Sequence, residues 1–221
     1  MKQALAVVIG LTATLAVGQA QEEKDPDPKA RVEALIQEGL KAFRAGQNQA
    51  AIQSLQKAIG LIQQSAAKGL VSFLPAPPEG WEADPAKSES GNWGAGESAI
   101  QWTQASRRYR RESDKLKVEV TISDSPQIIQ GQMQALKMYE NPQMLQMMNQ
   151  DPNRKVELID TDGWKGWKTT EKGKRPRTQT MAIYQSVMVQ VEVRGDDETV
   201  REAFWNAVDR KGIASSVAPE K

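Results

Sequence analysis

The chain has no cysteine and no histidine among its 221 residues. Each absence removes a chemistry. Without histidine there is no Ser-His-Asp triad and no imidazole ligand for haem or zinc, and without cysteine there is no thiol nucleophile, thiolate metal site or disulfide. Stability must come from burial alone. Charge of one sign is missing too. Lysine and arginine number 29 against 28 aspartates and glutamates. Removing residues 1–20 takes away only Lys2, leaving near-zero net charge, which argues against nucleic acid as a partner. Apolar residues make up 39% and charged residues 26%, a balance that fits a globular protein with polar loops rather than a disordered one.

One apolar run stands at the start. In "MKQALAVVIGLTATLAVGQA" a single basic residue, Lys2, precedes an uncharged stretch over residues 4–17. Gly18 and Ala20 supply small residues at −3 and −1 of a cut between Ala20 and Gln21. This is the pattern of a cleavable secretory signal peptide, and the run is shorter than the roughly 20 apolar residues that span a bilayer. The expected location is therefore the periplasm or the exterior. No stable membrane insertion is expected after the signal is removed.

Composition divides the remainder. Residues 21–29, "QEEKDPDPK", form a charged, proline-broken lead-in. Residues 30–68 carry two apolar stripes of helical period: Val32, Leu35, Ile36, Leu40 and Phe43, then Ala51, Ile52, Leu55, Ala58, Ile59 and Ile62. Gly46 and "GQNQ" turn the chain between them. Residues 69–96 read as a linker, stiff at "LPAPPEGW" and Gly/Ser-rich at "AKSESGNWGAGES".

Residues 97–213 read as one α+β domain, followed by a tail at 214–221. A strand runs from Ile100 towards Arg111, and strict alternation at Leu116, Val118, Val120 and Ile122 gives a second. Ser125-Pro126 and Asn141-Pro142 each pair an N-cap with a first-turn proline, predicting two helices, the second ended by Asp151-Pro152. Four strands follow near 155–161, 164–171, 177–184 and 187–194, with Asp162-Gly163 and "KGKRP" as turns. A last helix carries an apolar stripe of Val200, Ala203, Phe204, Ala207 and Val208, with Gly212 as its stop. The expected fold is α+β: an N-terminal helical hairpin, then an antiparallel sheet of about six strands covered by helices.

Three resemblances rest on these residues. Gly39, Gly46, Ala51, Leu55 and Ala58 stand at the small and apolar positions of a tetratricopeptide repeat, over a single unit. A solenoid needs about three, so the likeness implies one helical hairpin packed on its own domain or on a partner. The element order of the later part, with "LPAPPEGW" before it and "ETVREAFWNAVD" closing it, resembles the PsbP-like sandwich, which implies an α/β/α arrangement and brings no catalytic motif. The whole plan of signal, helical pair, "LPAPPEGW" and "DSP" is similar to a family of exported proteins of Gram-negative bacteria, which implies export and no particular activity.

Candidate sites are few. Five of the eight methionines lie in "GQMQALKMYENPQMLQMMN" at 131–149. Ile128, Ile129, Met133, Leu136 and Tyr139 share a face of the first helix, with Met138 pointing away; Met144, Leu145, Met147 and Met148 share a face of the second. Core packing accounts for this, and methionine also suits adaptable apolar surfaces. The rival reading is Cu(I), for which thioethers are soft ligands and the i, i+3, i+4 spacing of Met144, Met147 and Met148 lets three sulfurs converge. "SRRYRR" places Arg107, Tyr109 and Arg111 on one strand face and Arg108 and Arg110 on the other, a possible grip on phosphate or carboxylate. "DGWKGWK" sends Trp164 and Trp167 to opposite sides of a strand, with one expected in the core. "SLQK", "SDS" and "KTT" echo the motif set of penicillin-recognising enzymes, but Ser125 and Thr170 break two of the three. The acids stand mostly at turns and caps, which leaves a carboxylate-based hydrolase as a further alternative without a motif.

The sequence therefore reads as an exported, soluble, non-catalytic binding or envelope-assembly accessory protein. It carries no expected cofactor, and another envelope protein is its partner through the hairpin, with Phe43, Leu55, Arg107, Tyr109 and Arg111 as contact candidates. A periplasmic Cu(I)-handling protein is the alternative. Oligomeric state is left open.

Overall fold

The structure is a computed structural model that describes residues 27–93 and 100–217. The expected signal peptide, its Ala20/Gln21 cut, most of the charged lead-in and the loop at 94–99 lie outside the described residues. No helix among the described residues is long and apolar enough to cross a membrane.

Two helices open the fold: α1 (Pro28–Arg44) and α2 (Asn48–Val71). Asp27 caps α1, its carboxylate accepting from the Lys29 N–H, and Pro28 occupies the first turn, where no backbone donor is missed. The turn is a Schellman motif. The Gly46 N–H donates to Phe43 O at 3.0 Å and the Gln47 N–H to Ala42 O at 2.9 Å, and Gly46 takes φ +73°, a conformation glycine adopts without a Cβ penalty. The helices meet through small residues, Gly39 and Ala42 against Ala51, Ser54 and Ala58, all buried. A Cβ on Gly39 would come within 3.0 Å of Leu55 Cγ.

Eight strands form one antiparallel sheet: β1 (Glu82–Ala83), β2 (Lys87–Trp93), β3 (Ile100–Arg110), β4 (Lys117–Ser123), β5 (Arg154–Thr161), β6 (Trp164–Glu171), β7 (Arg177–Tyr184) and β8 (Val187–Arg194). Their order is β1-β3-β4-β8-β7-β6-β5, with β2 also on β3. Two strands more than expected come from 69–96. That segment is not only a linker: β1 and β2 pair along the outer edge of β3, with Lys87 opposite Ser106 and Trp93 opposite Ile100. Its Gly/Ser composition has a structural use at Gly91, where a Cβ would sit 3.0 Å from Trp102 Nε1, so the glycine makes room for the indole.

Helices cover both sheet faces. On one side, α5 (Glu198–Ala207), α6 (Arg210–Val217) and the end of α2 bury Leu70, Leu74, Phe204, Trp205 and Ile213 against Val118, Val120, Val189, Val191 and Val193. On the other, α3 (Pro126–Glu140) and α4 (Pro142–Met148) bury Ile129 and Leu136 against Val156, Trp167, Met181, Ile183 and Met188. Double coverage explains the tryptophans. Trp164 lies in the first core and Trp167 in the second, 2% and 5% exposed, so both are buried where one was expected. It also explains why β7 is buried at six consecutive positions, from Thr178 to Ile183.

Other details differ from the sequence reading. Ser125 stands at the N-cap of α3 but makes no cap bond. Its hydroxyl accepts from the Thr103 N–H and meets Ser123 Oγ at 3.1 Å, tying the helix entry to β3. Asn141 does cap α4, accepting from the N–H groups of Gln143 and Met144. That helix ends at Met148, before Asp151-Pro152. Gly212 stops nothing. The closing helix breaks at Val208, and Asp209 starts α6 by accepting from the Gly212 N–H at 2.9 Å. The chain therefore stays helical to Val217, inside what reads as a tail. The buried stripe of α5 is Val200, Arg201, Phe204 and Trp205, and Ala203 and Ala207 are exposed. The wider apolar face belongs to the aromatics, and the small alanines sit beside it.

Candidate functional site

The helical hairpin carries the candidate site. Its helix–helix seam uses small side chains, which leaves several large apolar ones only partly covered. On α2 the seam residues Ala51, Ser54 and Ala58 follow i, i+3, i+7. Ile52, Leu55, Ile59 and Ile62 repeat that spacing one residue later, hence about 100° round the helix. They are 40–50% exposed. On α1, Ile36, Leu40 and Phe43 form a matching row, with Phe43 at 65%. Between the rows runs a groove of about 480 Å³, lined by Ile36, Gly39, Leu40, Phe43, Asn48, Ala51, Ile52 and Leu55. Asn48 is the only polar residue in that lining. Single exposed apolar residues are ordinary on a protein surface; seven in two adjacent rows are not.

The electrostatics of this element are lopsided. The two helices hold Lys29, Arg31, Lys41, Arg44, Lys57 and Lys68 against only Glu33 and Glu38. None of these eight makes an ion pair among the described residues. The hairpin is thus an apolar groove on a basic body, although the chain as a whole is nearly neutral.

Of the contact candidates from sequence, Phe43 and Leu55 lie in this groove. The other three do not, and they present no common surface. Tyr109 is 1% exposed and sits in the first core, its ring 4.7 Å from that of Phe204. Its hydroxyl donates to Pro75 O at 2.8 Å, and Arg107 Nη1 donates to the same carbonyl at 3.2 Å. Burial pushes the Tyr109 phenol up to about 12, with Arg107 opposing that shift. Arg111 is held by Asp114 at 2.6 Å and lies 4.8 Å over the Trp81 ring. These three fix the proline-rich connector and the adjoining turn to the sheet. The alternation of β3 pointed Tyr109 inward; nothing in the sequence identified Pro75 as its acceptor.

The three candidate copper ligands occupy different environments. Met148 packs against the second core, Met144 is half-buried, and Met147 is 55% exposed. Met133 joins the core while Met138 and Ile128 are exposed. Of the five methionines in the stripe, Met133 and Met148 pack on the second core and Met138 and Met147 are exposed; Ile128 and Met147 lie off the expected face. Ser54, the would-be nucleophile of the penicillin-type motif, is buried in the hairpin seam.

A polar cluster that the sequence did not reveal lies between α5 and the sheet. Arg201 is 2% exposed. Its Nη1 donates to Thr178 Oγ1 at 2.8 Å and its Nη2 to Glu202 Oε1 at 2.9 Å. Glu202 also takes Lys168 Nζ at 2.6 Å, and Glu198 accepts from Thr170 Oγ1 at 2.7 Å. Burial raises the Glu202 pKa, but the hydrogen bonds from Lys168 and Arg201 prevail and hold its carboxyl below the ordinary range. Each charged group is committed to a neighbour, and together they clamp α5 to β6 and β7. Among the described residues no group of three or more acids stands close enough to hold a metal ion.

No family model and no curated protein matches the chain. Among solved structures, the solution structure of cyanobacterial PsbP (CyanoP) from Synechocystis sp. PCC 6803 is similar at 16% identity and a TM-score of 0.29, over 59% of this chain and 79% of that one. The likeness is one of fold alone, and a weak one.

Proposed function

We propose that the protein is a non-catalytic binding or assembly accessory protein of the cell envelope, and that its hairpin groove receives an amphipathic, acidic helix of a partner protein. The observation that carries this reading is the double row of exposed Ile, Leu and Phe side chains, on a hairpin that carries more cations than anions. An apolar groove between two helices accepts a helix through residues at i, i+3 or i+4, and i+7. The row from Ile36 to Phe43 covers two turns and that from Ile52 to Ile62 nearly three, enough for a partner helix of about three turns at 1.5 Å per residue. The excess of six cations over two anions favours acidic flanks on that helix and disfavours a second copy of the same basic hairpin. Export of the chain, as its leader pattern implies, makes the envelope the place where the partner is met.

The test is a titration with two designed 14-residue helical peptides that share one leucine stripe and differ only in glutamate or lysine flanks. The acidic peptide binds at about 10 μM, an affinity worth about 7 kcal/mol. The basic one binds at least tenfold more weakly. Phe43→Ser with Ile52→Ser removes binding of both while leaving the melting temperature near that of the parent. Equal affinity for the two peptides sinks the acidic-partner assignment, and no binding of either sinks the groove as a docking site.

A further inference from the structure

We propose a second, separate ligand site: an oxyanion of phosphate type held between Lys117 and Arg194 on the sheet face that α3 and α4 leave open. The inference starts from strand register. Arg110 on β3 stands opposite Lys117 on β4, and Lys117 stands opposite Arg194 on β8. Three cations therefore lie in one row across three neighbouring strands, side chains on the same face. Like charges directly opposite one another in a sheet are unfavourable unless something lies between them.

The protein pairs the first cation directly but not the other two, with Glu112 acting on Lys117 only at longer range. Arg110 is paired with Glu82 at 3.2 Å and Asp84 at 3.1 Å. The remaining nearby acids are already engaged, Glu119 with Arg108 at 3.2 Å and Glu192 with Arg177 at 3.5 Å. Glu112, in the turn that follows β3, is bonded to Lys115. Lys117 and Arg194 make no ion pair among the described residues, and both are exposed. They border a cavity of about 220 Å³ that Arg108, Arg110 and the paired acids Asp84, Glu119 and Glu192 also line. An arginine fork and a lysine point charge on adjacent strands suit a tetrahedral oxyanion with several acceptor oxygens. A free phosphate ester and a phospholipid headgroup share this chemistry.

The experiment measures melting temperature and calorimetric binding with inorganic phosphate and pyrophosphate, against chloride at equal ionic strength. Vesicles of phosphatidylcholine with and without phosphatidylglycerol form a second arm. Both phosphate salts raise the melting temperature of the full chain above the chloride control, as a ligand of the native state must. Lys117→Ala and Arg194→Ala each weaken binding at least fivefold, whereas Lys174→Ala, in the exposed β6–β7 turn, does not. Lys117→Glu loses phosphate binding yet melts higher than the parent in phosphate-free buffer, because the new carboxylate lies between Arg110 and Arg194. Sedimentation with the anionic vesicles that phosphate competes away assigns a lipid headgroup; phosphate binding without sedimentation assigns a soluble phosphate ligand. The proposal is overturned if phosphate does no more than chloride, or if Lys117→Ala and Arg194→Ala bind like Lys174→Ala.

Discussion

Replacing Arg201 by methionine tests whether the cluster under α5 is a clamp. The side chain is 2% exposed and lies over β6 and β7, and the methionine keeps most of its apolar stem in place. What is lost is one buried charge-assisted bond to Thr178 and two weaker pairings. Such a bond contributes about 1.5–3 kcal/mol. The Glu198 and Glu202 side chains are 43% and 35% exposed, so those ion pairs are screened and add only about 0–1 kcal/mol. None of the partners is orphaned. Glu202 keeps Lys168, Glu198 keeps Thr170, and the Thr178 hydroxyl still donates to Thr169 O at 3.0 Å. Arg201 Nε is buried with no acceptor, and losing it returns part of the cost. The expected destabilisation is about 1–2 kcal/mol, well short of the 3–5 kcal/mol that follows when a buried charge is left alone. For a chain of this size that is a fall in melting temperature of about 2–8 °C. Urea unfolding of the parent, Arg201→Met, Thr178→Val and the double variant isolates the Arg201–Thr178 term, expected at about 1 kcal/mol or more. A loss above about 4 kcal/mol, or a coupling indistinguishable from zero, refutes this accounting. The same cluster has a pH signature. The Glu202 carboxyl is held below its ordinary range in the folded protein. Its contribution is therefore present above the unfolded value of about 4.3 and drains away as pH falls through the lower folded value. Parent stability should fall more steeply below about pH 4.3 than that of Glu202→Gln.

Three further outcomes follow from the geometry. Tyr109, raised to about 12 by burial, ionises after the unfolded-state phenol at about 10; absorbance titration shows a late phenol that Tyr109→Phe removes, and Tyr109 costs stability as pH climbs from about 10 towards 12. Tyr109→Phe removes the bond to Pro75 and lowers stability by about 1 kcal/mol in urea unfolding. Gly166→Ala puts a Cβ 2.0 Å from Met181 O, which is backbone that cannot step aside; a loss of about 3 kcal/mol or more, or no soluble product, is expected.

Much of the sheet was legible because turn chemistry and alternation agreed there. β6, β7 and β8 span the residues read from sequence, and β5 starts one residue earlier. Asp162 and Gly163 take φ +52° and +79°, as their two-residue hairpin requires. Gln185 takes φ +50° between β7 and β8 with no glycine or asparagine to announce it. The two edge strands were hidden because their Ser, Glu and Gly residues look like a loop, and only pairing with the long β3 makes them strands. Arg201 was hidden for another reason. A buried arginine in an apolar stripe is visible only once Thr178, two strands and 23 residues away, is brought beneath it. At the candidate site the apolar stripes of the hairpin were plain, but not which of their residues stay uncovered. That depended on the seam closing through Gly39, Ala42, Ala51 and Ala58, which a periodicity of apolar residues does not separate from the large side chains beside them.

Methyl chemical-shift mapping on Ile- and Leu-labelled protein, titrated with the acidic leucine-stripe peptide, tests the docking claim most directly. The account predicts saturable shifts at Ile36, Leu40, Ile52, Leu55, Ile59 and Ile62, with Ile122, Ile183 and Ile213 of the sandwich cores unmoved. Shifts spread over the sandwich, or none on the hairpin at peptide concentrations that saturate elsewhere, would contradict it.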